Sequence, residues 1–598
     1  MSCLMKEAYA NRGTIWQDML AWCLFVLLLV FLSLSECAAA AACACANRAP
    51  VIQAFYTATN GASWLRPWDM SSADVPCGLE GVTCDSAVGD ITEVTVRDRS
   101  IRGTLPIELG QLTAMKSFSV ANNSLSGTVP SELSFCIALD HFDIWNNSLS
   151  GTLPPEFRAW TKISLFSVGI NQLTGTLPEA YSAWGASLVT FYADTNSLSG
   201  TLPAAYSSWT ALEVFFAYSN SISGTLPPEY QSWLSMSDFR VDSNSLTGTL
   251  PAAYSVWTAL TFFYLSSNSI SGTLPPEYHS WASMANFRVY SNLLTGTLPS
   301  EYSSMTNLFY FDCSSNFLSG SIPQAYSSLV NLNRFYVRNN SLSGTLPSQL
   351  SAWTRIFTFS VNINNFSGSL PAQFGSWAAI NTISCATNSI DGTIPASYGN
   401  MASLTTLDLS SNRLTGTIPL SLMMCSQLQI LSLGNNELSG TVPADCSTNL
   451  GLLSLQGNAA LSGSVPSRLV SLFAIVSVCG TEVCPTSTLP TQVCFPKGFA
   501  YDGVLTPVGA LSLISQYKSQ CSAQRVSAAQ LLSATRTQWR DTGPSSLSAV
   551  ASGLIATAVY SSIVSGALGR GAVASLQRSG TVLRLAALCD ESSAASAS

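Results

Sequence analysis

Hydrophobic and polar residues alternate in short stretches along most of this chain. One example is Asp238-Phe239-Arg240-Val241-Asp242, which is followed by a Gly/Pro turn and a second apolar group. Because successive side chains of a strand point to opposite faces, this alternation predicts a short strand. We expect Phe239 and Val241 in the core and the three polar residues facing solvent.

The pattern recurs at an almost fixed interval. A Gly followed by Thr or Ser, an aliphatic residue and Pro occurs sixteen times at a step of 24 residues, with one step of 25 after Gly175 and one of 23 after Gly440. A fixed period of this size predicts a stacked repeat architecture. The length of 598 residues, which exceeds one ordinary globular core, agrees with a repeat array.

The repeat unit reads L-x-x-F-x-V-x-x-N-x-L-S-G-T-L-P-x-E-Y-S-S-W. It resembles the leucine-rich repeat of the plant-type 24-residue (LxGxLP) subclass. The wording GTLPPEY is most similar to the surface-antigen leucine-rich repeat proteins of kinetoplastid protozoa. The resemblance implies an α/β-type solenoid, a right-handed superhelix of about 16 repeats with a parallel β-sheet on its concave face and Cys-containing caps.

Two positions of the repeat have predicted scaffold roles. The Asn, for example Asn268, is expected to bond backbone groups of its own turn and of the next one. Tyr or Phe stands six residues after the Gly and Trp stands nine after it, as in Tyr278 and Trp281, and Leu or Met replaces them in other units. Large apolar residues at a strict period usually fill a core, so both are predicted to be buried on the convex side.

The ends of the chain suggest export. An uncharged run of 15 residues, 20–34, follows Lys6 and Arg12 and precedes a small-residue cleavage pattern, so it predicts a signal peptide or an uncleaved signal-anchor. The uncharged stretch within 547–569 could form a transmembrane helix, and a helical appendage or a disordered tail is the alternative. Membrane association is therefore expected through the N-terminal anchor or the C-terminal helix.

Five segments are predicted. They are a signal peptide or signal-anchor (1–46), an N-terminal cap (47–90), leucine-rich repeats (91–468), a C-terminal Cys-containing cap (469–498) and an Ala/Ser-rich tail (499–598). The stretch with Cys77 and Cys84 resembles the N-terminal cap of plant-type proteins, which implies a disulfide. Disulfides are also predicted for Cys479, Cys484 and Cys494, with the pairing left open.

The outward strand positions form the candidate binding face. The column eight residues before each Gly is mostly Ser at both ends and aromatic or charged in the middle, and neighbouring columns add similar residues. Aromatic and Arg side chains at the centre of a patch are typical of dominant binding contacts. The predicted ligand-binding residues are Tyr192, Asp194, Phe216, Tyr218, Arg240, Asp242, Phe262, Tyr264, Arg288, Tyr290, Tyr310, Asp312, Arg334, Tyr336 and Arg338.

An alternative interpretation is that outward strand positions merely tolerate β-favouring residues. It accounts for Tyr and Phe but not for the intercalated Arg and Asp. Four glycosylation sequons, at Asn122, Asn146, Asn339 and Asn365, flank the central stretch and would leave it open.

Other function classes are disfavoured. The net charge of −8 argues against a nucleic-acid partner, and two His residues leave little for a metal site, so no metal or cofactor is expected. His141 and Asp143 share a strand between Ser119 and Ser167, but no nucleophile-elbow motif or pocket-forming insertion accompanies them, so the chain is predicted not to be an enzyme.

The prediction is therefore an extracellular or cell-surface recognition or adhesion protein. It would bind a protein or glycan ligand on the concave face, either secreted or at the plasma membrane. A surface-coat glycoprotein that binds no ligand is the first alternative, and an inhibitor of extracellular hydrolases is the second.

Overall fold

A computed structural model describes residues 48–71, 76–85, 90–465, 469, 475–478 and 480–484. The described residues fall into two units that divide between Leu294 and Thr295, called here the N-terminal and C-terminal units. The predicted signal segment, the possible transmembrane stretch 547–569, Cys479 and Cys494 lie outside the described residues. Among the described residues, no helix has the length and apolar character to cross a membrane.

Each repeat contributes one short strand to a parallel sheet, called here the main sheet. Strands of successive repeats pair in register, so that Phe215 lies beside Phe239 and Phe239 beside Phe263. In the N-terminal unit the strands are Ile91–Thr95, Ser117–Ser119, His141–Asp143, Leu165–Ser167, Thr190–Tyr192, Val214–Phe216, Asp238–Arg240, Phe262–Tyr264 and Asn286–Arg288. In the C-terminal unit they are Tyr310–Asp312, Arg334–Tyr336, Thr358–Ser360, Thr382–Ser384, Thr406–Asp408, Ile430–Ser432, Leu452–Ser454 and Ile475–Ser477.

A second strand in many repeats lies around the Gly turn. These strands are Arg102–Thr104, Ser124–Ser126, Ser150–Thr152, Gln172–Thr174, Ser223–Thr225, Ser245–Thr247, Ser271–Thr273, Leu293–Thr295, Ser319–Gly320, Ser341–Gly344, Asn365–Ser369, Ser389–Asp391, Ser439–Thr441, Ala460–Ser464 and Glu482–Cys484. The turn requires glycine: Gly272 has φ +77°, and a Cβ there would lie 2.8 Å from Cγ2 of Thr249 in the preceding repeat.

The return segment of most repeats is a short 3₁₀ helix that follows the Pro. These helices are Ile107–Gln111, Ser131–Phe135, Pro155–Ala159, Glu179–Ser187, Ala204–Ser208, Pro228–Ser232, Ala252–Val256, Pro276–Ser280, Ser300–Ser304, Gln324–Ser328, Ser348–Ala352, Ala372–Ser376 and Ala396–Asn400, and one repeat has the α-helix Leu420–Met423 instead. The one extra residue of the 25-residue step is accommodated by a kink at Gly185, where a Cβ would meet no atom within 4 Å.

The turn-side aromatics are buried, which confirms their predicted scaffold role. Tyr278 and Trp281 are fully buried, and their rings stack at 3.8 Å. Both also bond the preceding repeat: the Tyr278 hydroxyl donates to the Pro251 carbonyl at 3.0 Å, and the Trp281 indole N–H donates to the Tyr254 carbonyl at 3.0 Å. Burial therefore leaves neither polar group without a partner.

The repeat asparagine bonds its own turn and the preceding turn, so the prediction that it bonds the next turn is wrong. The Asn268 side-chain amide donates to the carbonyls of Val241 and Leu265, each at 3.0 Å. Its Oδ1 accepts from the Leu246 N–H at 2.9 Å. One side chain thus satisfies backbone groups of two turns.

The N-terminal region begins with the α-helix Ala49–Ala58 and the 3₁₀ helix Gly61–Ser63. The strand Val82–Cys84 pairs antiparallel with Ile91–Thr95, and a disulfide joins Cys77 to Cys84, as predicted. Arg99, which stands where later repeats have Asn, is 3% exposed and bonds the carbonyls of Arg66 and Glu80. The arginine therefore ties the first repeat to the segment that precedes it.

We expect Asn268→Leu to lower the free energy of unfolding by at least about 2 kcal/mol, because the buried N–H of Leu246 loses its acceptor. Urea denaturation measures the loss, and amide hydrogen exchange at Leu246 should accelerate. Ser269→Ala changes an exposed neighbour and serves as the control. Equal stability of the two variants would contradict the role assigned to the asparagine.

Candidate ligand-binding face

The outer face of the main sheet in the N-terminal unit carries a cluster of aromatic and Arg side chains, called here the aromatic–arginine patch. Its members come from strands that pair in register, and their burial is intermediate rather than full. They are Tyr192, Phe216, Tyr218, Arg240, Phe262, Tyr264, Arg288 and Tyr290. The side chains partly cover one another, which explains why they are half-buried on a solvent-facing surface.

Arg240 lies at the centre of this patch. Its guanidinium lies 4.5 Å from the Phe216 ring centroid and 4.7 Å from that of Tyr264, so rings from both neighbouring strands flank it. It also donates two hydrogen bonds of 2.7 Å to the Asp238 carboxylate. Because the carboxylate hydrogen bonds fix the guanidinium and the guanidinium contacts both rings, the rings are held in place.

The patch extends along both neighbouring columns. Tyr192 packs against Phe216 with ring centroids 4.8 Å apart, and the Arg288 guanidinium lies 4.4 Å from the Tyr264 ring. Phe262 meets Tyr264 edge-on at 6.3 Å. Cation–π contacts and ring stacking thus link consecutive repeats on the outer face as well as in the core.

Two predicted site residues on this face differ sharply in accessibility. Asp194 is 2% exposed, and it packs over Gly169, where a Cβ would lie 2.6 Å from Asp194 Oδ1. Its Oδ2 accepts a hydrogen bond from the Thr195 hydroxyl at 3.3 Å. Burial raises the pKa of the Asp194 carboxyl. Burial of Tyr218 and the neighbouring Asp194 carboxylate together raise the pKa of the Tyr218 hydroxyl to about 12. Asp242 remains partly exposed.

The C-terminal unit has a smaller set of the same residue types. Tyr310 and Tyr336 have ring centroids 5.4 Å apart, and the Arg334 guanidinium lies 5.9 Å from Tyr310. Arg338 is half-buried. Asp312 is 8% exposed, and its Oδ1 accepts a hydrogen bond from the Ser314 N–H at 3.0 Å.

An internal duplication gives evidence about this face that residue types alone do not give, namely where the two copies differ. Residues 200–247 and 248–295 align without gaps and differ at 12 of 48 positions. The two blocks differ at five of the six outward positions, and only Arg240 and Arg288 agree there. The other 42 positions hold the remaining seven differences. Change since the duplication is therefore concentrated on the outer face rather than on other exposed parts of the repeat.

The predicted sequons have a structural origin as well. Asn122, Asn146 and Asn339 each have φ between 53° and 55°, in the left-handed region that Asn tolerates better than most residues. The repeat asparagine and Ser follow, so the backbone requirement itself creates the Asn-Asn-Ser sequence. Glycosylation at these residues and at the exposed Asn365 remains a prediction.

The polar residues around His141 do not form a catalytic arrangement. Ser119 Oγ donates to Asp143 Oδ2 at 3.0 Å, and Arg97 forms an ion pair with the same carboxylate. The His141 ring instead faces Asp140, with Nδ1 3.0 Å from Oδ2. Asp143, the carboxylate that would orient His141 in a Ser-His-Asp set, is therefore bonded to Ser119 and Arg97 instead.

Comparison with known proteins agrees with this architecture. Residues 138–160, 259–281, 403–425 and 427–449 match the family model Leucine Rich Repeat, so the chain carries leucine-rich repeats. No curated protein matches the sequence significantly.

Several solved structures share the fold. The chain is similar to the PEPR1–AtPEP1 crystal structure (24% identity over 75% of this chain and 68% of that one, TM-score 0.67). It is also similar to a TDR receptor (29%, 64% and 66%, TM-score 0.60) and to the plant peptide hormone receptor RGFR1 in complex with RGF2 (25%, 64% and 69%, TM-score 0.58). The match thus spans about two thirds of each of these chains, and it confirms the predicted leucine-rich repeat solenoid fold.

The stability contribution of Asp242 should depend on pH. Burial raises its pKa to about 6, although Arg240 and Arg288 lower it, and Asp194 raises it further. A carboxyl with a raised folded-state pKa destabilises the fold when ionised, and this penalty develops as pH rises from about 4 to above 6. We therefore expect Asp242→Asn to raise the melting temperature at pH 7.5 and to leave it unchanged below pH 4. A lower melting temperature at pH 7.5 would instead reveal a stabilising partner of the carboxylate.

Proposed function

We propose that this chain is an extracellular or cell-surface recognition protein that binds a polypeptide ligand on the outer face of its main sheet. The observation that carries the proposal is the aromatic–arginine patch, in which Arg240 fixes the rings of Phe216 and Tyr264 on a face open to solvent. Rings held in one geometry lose little conformational freedom on binding, so more of the contact energy contributes to affinity.

The distribution of sequence change supports a ligand at this face. A surface that only displays glycans would accumulate changes at all exposed positions alike, whereas the duplicated blocks differ mainly at the outward strand positions. The conserved residue of that set, Arg240 in one block and Arg288 in the other, contacts Tyr264 from both sides. The centre of the patch is therefore retained while the residues around it vary.

A polypeptide fits this face better than a glycan does because of the fold and the charge pattern. RGFR1, a relative in fold at 25% identity, is a peptide hormone receptor in complex with RGF2. Here charged Arg and Asp side chains alternate with rings along consecutive strands, as suits a chain with both charged and apolar side chains. Resemblance to kinetoplastid surface antigens and the predicted export signal favour a location outside the cell.

The test is a screen of the full-length protein against arrays of extracellular proteins, peptides and glycans, followed by titration of each hit. We expect a saturable polypeptide ligand whose affinity falls at least tenfold, or about 1.4 kcal/mol or more, in the double variant Phe216→Ala/Tyr264→Ala. Phe135→Ala is the matched control, because Phe135 is 62% exposed at the end of a 3₁₀ helix and outside the patch.

Each alternative has its own result in the same screen. The absence of any saturable ligand would favour the surface-coat glycoprotein. A secreted hydrolase as the sole ligand, with loss of its activity on binding, would favour the inhibitor. An unchanged affinity in the double variant would show that a ligand exists but binds elsewhere on the chain.

A further inference from the structure

One row of the outer face differs in character from the rest of the patch. The residues six positions before the repeat Gly each lie two residues past the end of a main-sheet strand. Backbone hydrogen bonds join consecutive repeats there: Ser219 N–H to the Asp242 carbonyl at 2.9 Å, and Ser243 N–H to the Ser266 carbonyl at 2.8 Å. The row reads Asp194, Tyr218, Asp242, Ser266 and Tyr290. One carboxyl and one hydroxyl therefore lie between two tyrosines, and a second carboxyl, Asp194, lies beyond Tyr218.

The charge of Asp242 is only partly compensated: Arg240 and Arg288 lower its pKa, but they do not outweigh its burial. Its carboxylate accepts a hydrogen bond from its own backbone N–H, and within the described part of the chain it has no ion pair within 4.0 Å. Arg240, the nearest arginine in sequence, is held by Asp238 through two hydrogen bonds of 2.7 Å. A partly desolvated carboxylate without a paired cation is costly, and an incoming cation would remove that cost.

Ser266 gives independent evidence of an unsatisfied polar group in this row. It is 2% exposed, and its Oγ has no hydrogen-bond partner in the structure. Because Leu265 before it is fully buried in the core, the Ser266 side chain is on the outer face, in the repeat next to that of Asp242. A buried hydroxyl is rarely left unsatisfied, so this one points to a donor that a ligand supplies.

We propose that Asp242 and Ser266 form a subsite for a basic side chain, lysine or arginine, of the polypeptide ligand; this rests on the proposed function. The cationic N–H groups would donate to the Asp242 carboxylate and to Ser266 Oγ. Tyr218 and Tyr290, on either side in the row, would cover the aliphatic stem. The nearby Asp194 adds negative charge to the same row, and Arg240 does not oppose the ligand fully because Asp238 neutralises it.

A metal ion fits this row less well than an organic cation does. Among the described residues, no group of three or more His, Cys, Asp or Glu side chains could hold a metal. Two carboxyls separated by a tyrosine offer few of the six to eight oxygens that calcium takes. An ammonium or guanidinium needs only the two or three acceptors that the row supplies.

The test uses a phage-displayed library of random dodecapeptides selected on immobilised full-length protein at pH 7.4. We expect the selected peptides to share a Lys or Arg at one position of their consensus. For a resynthesised consensus peptide, replacement of that residue by norleucine should weaken binding at least tenfold, and Asp242→Asn or Ser266→Ala in the protein should remove most of the difference between the two peptides. Peptides with Lys and with Arg at that position distinguish the two cations.

Glu229→Gln is the matched control, because it removes one exposed carboxylate from the 3₁₀ helix Pro228–Ser232, and it should leave the basic preference intact. Thermal unfolding of each variant checks that it is folded. A consensus without a basic residue, or a basic preference that persists in Asp242→Asn, would overturn the subsite while the proposed function stands. No enrichment over a protein-free matrix would overturn both.

Discussion

The asparagine of each repeat makes the interaction on which the rest of this structure depends. Its side-chain amide donates to carbonyls of its own turn and of the preceding turn, and its oxygen accepts an N–H of the preceding turn, as Asn268 does with Val241, Leu265 and Leu246. These inward-pointing backbone groups are buried and therefore need hydrogen-bond partners, which the asparagine supplies. The asparagine therefore joins successive turns into a stack in which the main-sheet strands keep one register.

This register has consequences on both sides of the sheet. In the core it aligns the Phe residues, with Phe215, Phe239 and Phe263 stacked at 5.6 and 5.9 Å, and at the turn it brings each Trp indole within reach of a carbonyl in the preceding repeat. On the outer face it places residues of neighbouring repeats side by side. The sandwich of Arg240 between Phe216 and Tyr264 exists only because three strands pair without a slip.

Most of the fold could be predicted from the sequence because the same pattern of core and turn residues recurs at an almost fixed interval. The alternation around Phe239 and Val241 fixes which side chains are buried, and the exchange of Trp with Leu and Met identifies Trp281 as a core residue. The direction of the Asn268 hydrogen bonds could not be predicted, because either neighbouring turn offers the same backbone groups. Only the handedness and pitch of the actual turn decide between them.

The candidate face was predictable in outline but not in its internal contacts. Alternation places Asp194, Arg240 and Asp242 on one face, yet it gives no information on which carboxylate is covered. Asp194 is buried because Gly169 leaves room for its side chain. The bidentate partner of Arg240 is Asp238 rather than Asp242. These choices depend on side-chain geometry across three strands, which no single repeat encodes.

The duplicated blocks show how such a face can change without harm to the fold. The core residues of a repeat are constrained by the stack on both sides, so that Phe215 and Phe263 or Trp233 and Trp281 remain the same in both copies. An outward residue has only its lateral neighbours to satisfy, and Tyr290 can stand where the first copy has Asp242. Because Arg240 and Arg288 hold the rings on either side, each substitution around them alters the chemistry of the surface while the surface itself stays ordered. Repeats of this kind therefore separate the residues that specify the fold from those that are free to specify a ligand.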